Sequence, residues 1–474
     1  MAPTETPTPA PTETRTSGSR RQSEAASAPP GGFSPRDLPG LTLWLDAGAI
    51  TGLTEGQPVA RWDDGSGNGL HATQATATRQ PAYRTGVLNG RPVVRFDGDA
   101  LQTPSIDHGG ARAMTVYAVF SCVAGGGDRI VAELSPDLGT SPNAYAFYRD
   151  RFDKLAMCGR GSNNWNERVS SARAVGTAAF HLGCGVYNLR LHRHEAYVYL
   201  DGAATSGVTA ILDNDDAATI RTDVLNIGAR NQSALFLTGD IAELIVYATA
   251  QTAAERQRVE GYLASKYGLP ARPVTASLLF ELDSMTEGGN TYFASSYPFQ
   301  LVNRLTDGVH WYNPAISGQT AQTARAAAPT RVYPLGSPGL GGKNVCVLWG
   351  GTNDLVSVGG NQSAATALAR FYGYADDLRA QGFTLVGLTM LPRSDTAAPA
   401  DFEAKRAAFN ADLRQNWASR FAALVDVAAD SRIGDTGDEL DRTYYDADRV
   451  HLNAVGLAII ADLVHPTLAS WGIR

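Results

Sequence analysis

The hydrophobic rhythm of the chain changes near Val274, and no single fold accommodates both rhythms. Before that point the apolar runs are short: "LTLWLDAG", "RPVVRFDG", "MTVYAVFSCV", "NAYAFYR", "GVYNLRL", "EAYVYLDGA", "DVLNIGAR" and "IAELIVYA". They are of strand length, rich in Val, Tyr, Leu and Phe, and separated by "NG", "DG" and "GGG" turns, which predicts an all-β sandwich. A helix, "TAAERQRVEGYLASKYG", closes this half, with Thr252 placed to cap its start and Gly268 to stop it. After Val274, strand-like runs ("ASLLFEL", "KNVCVLWGG", "FTLVGLTML", "AALVDVA") alternate with long helical stretches such as "AATALARFYGYADDLRAQG", "DFEAKRAAFNADLRQNWASRF" and "NAVGLAIIADLVHPTLASW". That alternation predicts a parallel sheet covered by helices on both faces, a three-layer α/β domain.

A length of 474 residues agrees with more than one core. The expected division is a sandwich over 36–270 and an α/β domain over 271–474, joined by "GLPARPVT", each with its own core. Residues 1–35 are mostly Pro, Thr, Ser, Ala and Glu and are expected to form a disordered tail, because they cannot bury enough surface to offset ordering entropy. The opening "MAPTETPTPAPTETRTS" has no apolar h-region, so no signal peptide is expected. No apolar run reaches the roughly 18 residues of a membrane span. With a net charge of −7 and no basic block, nucleic-acid binding has no electrostatic support. Cys122, Cys158, Cys184 and Cys346 are scattered without a CxxC pair, which predicts buried free thiols rather than a zinc site or disulfide framework.

The chemistry is expected at the strand ends of the second half. "FELDSMTEGG" puts Ser284 in a polar break directly after an apolar strand, where open parallel sheets place their sites. A serine hydroxyl needs a base within reach and an acid to orient that base. This half has three histidines, His310, His451 and His465, and His451 lies in "YDADRVHLNAVG", three residues after Asp448 and just ahead of the last helix, so both can project from one loop. His465 falls inside an apolar helical pattern and reads as structural. Donors for a developing oxyanion are offered by the Asn353 carboxamide in "WGGTNDL" and by a backbone N–H at the Gly318 turn in "NPAISGQTAQ". Asp283 reads as a hydrogen-bonder at the strand end, and Asp354 as a brace for the Asn353 loop.

Ser284 in "LDSMTEG", Gly318 in "ISGQT", Asn353 in "GGTNDL" and Asp448–His451 in "DADRVHLNAVG" occur in the order of the four blocks of the SGNH (GDSL-type) hydrolases, and residues 275–474 resemble that family. The resemblance implies a flavodoxin-like three-layer fold and a Ser284–His451–Asp448 triad. It also implies an oxyanion hole from the Ser284 N–H, the Gly318 N–H and the Asn353 side chain, with no metal or organic cofactor. Leu282 departs from the family, which usually has Gly before Asp-Ser. No G-x-S-x-G elbow occurs, so an α/β-hydrolase fold is disfavoured. The first half, through "RWDDGSGNGLHATQ", "YVYLDGA" and "GDIAELIVYATAQTAAERQRVEGYLASKYG", resembles laminin-G/concanavalin A-like jelly-roll modules.

Together these imply an esterase acting on O-acyl groups, acetyl above all, of a surface polysaccharide, with the sandwich as a glycan-binding partner. The whole plan looks like a phage tail or receptor-binding component, with contacts to the tail or to further copies of the chain. The competing reading is a non-catalytic glycan-binding or structural tail component with a vestigial hydrolase domain. Four features are left with two readings each. His192 and His194 in "HRHE" are metal ligands or a solvated hairpin pair. Asp213 to Asp216 are a calcium site or a solvated turn. Trp62 and Trp165 are sugar platforms or core residues.

Overall fold

The computed structural model describes residues 32–474 apart from 124, 162–165, 193–194, 211–217, 271, 292–294 and 306–307. The expected tail falls almost wholly outside the described residues, as do Trp165, His194 and Asp213 to Asp216. Residues 33–474 form one compact unit.

In the first half every ladder between strands is antiparallel, as short strands linked by tight turns require. One sheet runs Ala82–Leu88, Arg91–Asp97, Thr238–Tyr247, Ala113–Cys122, His181–Asn188 and Ala196–Leu200 in order. The facing sheet includes Leu101–Ile106, Asp223–Ile227, Arg129–Leu134, Ala144–Arg149 and Lys154–Arg160. Between them Leu43, Phe96, Phe120, Phe147 and Leu225 fill the sandwich core. Trp62 belongs to that core and is fully buried, which corrects the idea of a sugar platform. It sits in the two-residue strand Arg61–Trp62, whose alternation turns Arg61 out and the indole in. The four cysteines are buried, and none is in a disulfide among the described residues.

Helix α1 (Ala253–Tyr267) starts and stops where the sequence indicates. Thr252 and Glu255 form a reciprocal capping box, and Gly268 ends the helix in the left-handed region at φ 63°. Beyond it five parallel strands lie in the order Val309–Tyr312, Ala276–Leu282, Asn344–Trp349, Thr384–Leu388, Ala423–Val425. Helices α2 (Ser284–Glu287), α3 (Tyr297–Val302), α4 (Ala321–Arg331), α5 (Ala364–Ala380), α6 (Phe402–Asn416) and α7 (Ala454–Ser470) complete this half. No described helix is long and apolar enough to cross a membrane. The strand order reverses direction across the sheet at the neighbouring strands Ala276–Leu282 and Asn344–Trp349, and a crevice opens beyond the C-terminal ends at such a switch point. Ser284 and Asn353 both follow those two ends.

The sandwich keeps a core of its own between its sheets, but its outer face and the second half share another, an interface the sequence reading did not anticipate. Ala113–Cys122 is buried at all ten positions, so its sheet is covered on its outer face as well. That face packs on α1 and on the edge strand Val309–Tyr312. Tyr117, Tyr197 and Tyr199 share one apolar cluster with Leu263, Phe280, Trp311 and Tyr312. The Tyr197 ring meets Tyr312 at 4.7 Å and Trp311 at 5.3 Å, and its hydroxyl accepts from the Asn313 N–H at 3.1 Å. Arg256 of α1 lies 3.9 Å over the Tyr199 ring. It donates to His310 Nδ1, and burial together with the Arg256 charge holds that imidazole well below its ordinary pKa.

Candidate active site

The Ala276–Leu282 strand ends at Asp283, whose carboxylate caps the four-residue helix α2 by accepting from the Met285 N–H at 3.1 Å. Ser284 is the first residue of that helix and projects beyond the sheet edge. The turn into it is sharp: Leu282 has φ 134°, a region that favours glycine. This is the position where the GDSL blocks usually carry Gly. The leucine is accommodated because Gly350 lies against it; a Cβ on Gly350 would stand 2.7 Å from Leu282 Cδ2.

Ser284, His451 and Asp448 form a continuous hydrogen-bonded chain. Ser284 Oγ is 2.7 Å from His451 Nε2, and His451 Nδ1 is 2.6 Å from Asp448 Oδ2. Asp448 Oδ1 accepts from the Val450 and His451 N–H groups, both at 3.0 Å, so the carboxylate is fixed by its own loop. Partial burial raises the Asp448 pKa. The bonds from the His451 ring and from the two backbone N–H groups outweigh it and hold the carboxyl well below its usual range. The second glycine of "TEGG" has a specific task here. Gly289, at φ 54°, lets the imidazole lie on the backbone; a Cβ there would meet His451 Cδ2 at 2.9 Å and Cγ at 3.0 Å.

The donors expected from the sequence are the Ser284 N–H, the Gly318 N–H and the Asn353 amide. Among the described residues, neither the Ser284 N–H nor the Gly318 N–H gives a hydrogen bond to the protein. Gly318 needs its freedom, at φ 78°, to turn the chain before α4. Asn353 follows the Asn344–Trp349 strand and uses one amide hydrogen on the Gln319 carbonyl at 3.0 Å, and a carboxamide has a second to give. Asp354 is the expected brace: it accepts from the Ala321 N–H at 2.8 Å and from Arg370 at 3.1 Å.

Asp283 is fully buried with Oδ2 unpartnered among the described residues. Burial pushes its pKa up to about 7 against the bond from Met285 and the charges of His451 and Arg393. A cavity of about 20 Å³ lies beside it, walled by Asp283, Met285, Trp349, Met390, Arg393 and Val450. These include both chain neighbours of Ser284 and the residue before His451. Such a space holds about one or two groups the size of a water.

Ser284, His451 and Asp448 are joined directly, Asn353 binds the carbonyl of Gln319 next to Gly318, and His310 lies elsewhere, against Arg256. Three contributors are absent from the sequence reading. Asn290 donates to Asp448 Oδ2 at 2.6 Å, Glu287 ends the nucleophile helix, and His192 pairs with Glu287 at 2.5 Å. His192 thus has a carboxylate partner from the other half of the chain, a pairing that neither of its two readings foresaw. Asn290 and Glu287 sit in the same "TEGGN" run as Gly289. Their presence within six residues of a proposed nucleophile was the available signal; nothing local marked His192.

Residues 283–459 match the model of the GDSL-like lipase/acylhydrolase family. Residues 96–255 match that of the concanavalin A-like lectin/glucanase superfamily. The chain thus carries a GDSL-like acylhydrolase domain behind a concanavalin A-like one. No curated protein matches it. Solved structures similar to it include an acylhydrolase from Bacteroides fragilis, 19% identical, covering 44% of this chain and 95% of that one with a TM-score of 0.35. A GDSL-like lipase from Bacteroides thetaiotaomicron is 18% identical, with coverages of 45% and 98% and a TM-score of 0.33. A Trypanosoma rangeli sialidase is 12% identical and covers 48% of this chain but 33% of its own, with a TM-score of 0.35.

Proposed function

We propose that the protein is a serine esterase that removes short O-acyl groups, acetyl above all, from a surface polysaccharide. The observation that carries this reading is the unbroken chain Asp448–His451–Ser284, at 2.6 and 2.7 Å. Ser284 Oγ attacks the ester carbonyl carbon while its proton passes to His451 Nε2. Asp448 holds the imidazole in the tautomer with hydrogen on Nδ1 and stabilises the imidazolium. The carbonyl electrons move to oxygen, where the Ser284 N–H, the Gly318 N–H and the Asn353 amide receive the negative charge. Collapse expels the sugar alkoxide, which takes the proton from His451. Water, deprotonated by the same imidazole, then releases the acid from Ser284.

The preference for a small acyl group rests on analogy, because a lectin-like module beside an esterase suits acylated surface glycans. The polysaccharide rests on the concanavalin A-like module alone, and carriage on a phage tail rests only on the order of the parts. The catalytic unit is assigned to 271–474. The test is a fluorophosphonate probe and a p-nitrophenyl acetate assay on the full chain. The probe should label Ser284 alone, and Ser284→Ala should abolish both labelling and turnover at an unchanged melting temperature. Labelling of another serine, or activity in the variant, overturns the reading.

A further inference from the structure

Among the described residues, the concanavalin A-like half reaches the carboxylate at the end of α2 through His192. His192 follows the strand His181–Asn188, in the connection to Ala196–Leu200, and its Nδ1 stands 2.5 Å from Glu287 Oε1. Glu287 is the last residue of α2, which Ser284 begins, and its carboxylate has no solvent exposure. The other oxygen of that carboxylate accepts from the Ser317 N–H at 3.0 Å and from the Ser317 hydroxyl. Ser317 directly precedes Gly318. One buried carboxylate therefore ties together the nucleophile helix, the loop that offers the Gly318 N–H, and the sandwich.

A Cβ on Gly318 would meet nothing within 4 Å, so hydrogen bonds rather than packing aim this loop. Before Gly318 they are the Ile316 N–H on the Leu282 carbonyl at 3.2 Å and the Ser317–Glu287 bonds; after it, Asn353 binds the Gln319 carbonyl, Arg331 binds Gln319 Oε1 at 2.8 Å, and the Gln319 N–H returns to the Ile316 carbonyl at 3.3 Å. Removing the His192 ring takes away one of the bonds that hold the buried Glu287 carboxylate, which can then admit water or turn away. Turning away moves Ser317.

We propose that His192 is a positioning residue for the oxyanion-binding loop: by holding Glu287 it fixes Ser317 and so the aim of the Gly318 N–H, and the sandwich thereby completes the hydrolase site. This rests on the roles of Ser284 and Gly318 given under the proposed function. A donor displaced by a fraction of an ångström stabilises the transition state less while ground-state binding persists, with losses of up to about 10²-fold per ångström.

The experiment uses the full chain and p-nitrophenyl acetate, a substrate with no sugar for the sandwich to grip. His192→Ala should lower kcat by about tenfold and leave KM within about twofold. His192→Asn, which keeps a donor near the position of Nδ1, should recover most of kcat. Ser317→Ala should lower kcat as well, and the His192→Ala/Ser317→Ala pair should lose no more than the worse single variant, because both act through Glu287. Unchanged kcat in a folded His192→Ala, or losses that multiply in the double variant, overturns the proposal. If His192→Ala does not fold, His192→Asn and Ser317→Ala carry the test, and a pure KM effect in Ser317→Ala overturns it. Ser284→Ala separates the two failures. If it remains active, the esterase assignment has failed; if it is dead while His192→Ala is unaffected, only the role of His192 has.

Discussion

His451 and His192 each face a carboxylate beside α2, yet the two regions work differently. His451 and Asp448 stand three residues apart in one loop, with 19% and 34% of their side chains exposed. His192 and Glu287 are 95 residues apart, and the Glu287 side chain is wholly buried. A group that takes and returns a proton in each turnover must reach substrate and water, and a short loop can present it without a supporting core. A group that holds a wall in place needs a fixed partner in a dry setting, which here the meeting of the two halves supplies. The rim of the site is therefore built locally, and its backing is built at long range.

If that division is right, substitutions on the rim change rates by orders of magnitude and stability little, while those in the backing do the reverse. Ser284→Ala should show the largest effect, on the order of 10⁶-fold in kcat, by comparison with loss of the nucleophile in other serine hydrolases. Asn353→Ala comes next. Its amide matters chiefly when charge develops on the substrate oxygen, so kcat should fall by about 10²–10³-fold with KM nearly constant. A pure rise in KM in steady-state assays would make Asn353 a ground-state contact and move it out of the proposed hole.

Asp283 tests the backing. Its folded pKa, pushed up to about 7 chiefly by burial, lies above the ordinary 3.8, so the folded state holds the proton more tightly than the unfolded one. Stability from this group is fully present below about pH 4 and is lost as pH rises toward 7. Asp283→Asn removes the titration and keeps the cap on Met285, since Asn serves nearly as well there. The melting temperature of the variant relative to the parent should therefore climb between pH 4 and 7 and level off above. The limit is about 4 kcal/mol, at about 1.4 kcal/mol per pKa unit. A difference that stays constant with pH would place the burden elsewhere.

The same division explains what could be read from the sequence. Ser284, Gly318, Asn353 and the Asp448–His451 pair were legible because each sits at a strand end or a helix start, where a few consecutive residues set the geometry. The strands "ASLLFEL" and "KNVCVLWGG" declared themselves by unbroken apolar runs. "VHWY" did not, since four residues carry no period, and this edge strand is defined by what covers it. The joined core was half visible: "MTVYAVFSCV" lacks the polar alternation of a one-sided sheet, a sign that its outer face also needed cover. His192 was not legible at all, because its partner lies 95 positions away and no local pattern encodes that distance.

The smallest expected effect lies at Leu282, where the chain departs from the glycine of its relatives. Relief of its φ of 134° by Leu282→Gly gains about 1–3 kcal/mol, but the loss of a fully buried leucine costs about 2–5 kcal/mol. The variant should thus be modestly less stable. Gly350→Ala should also destabilise, by about 1–3 kcal/mol, because the new methyl meets Leu282 Cδ2 at 2.7 Å and Cδ1 at 2.9 Å. In the double variant the leucine is gone and the methyl enters the space it vacated, leaving only Asp283 Oδ2 close, at 3.0 Å. Denaturant unfolding of the four proteins should therefore show the pair less destabilised than the sum of the singles, by about 0.5–3 kcal/mol. Strict additivity would mean that the leucine does not occupy the space over Gly350, and that the sharp turn into Ser284 is held by something other than this exchange of side chain for glycine.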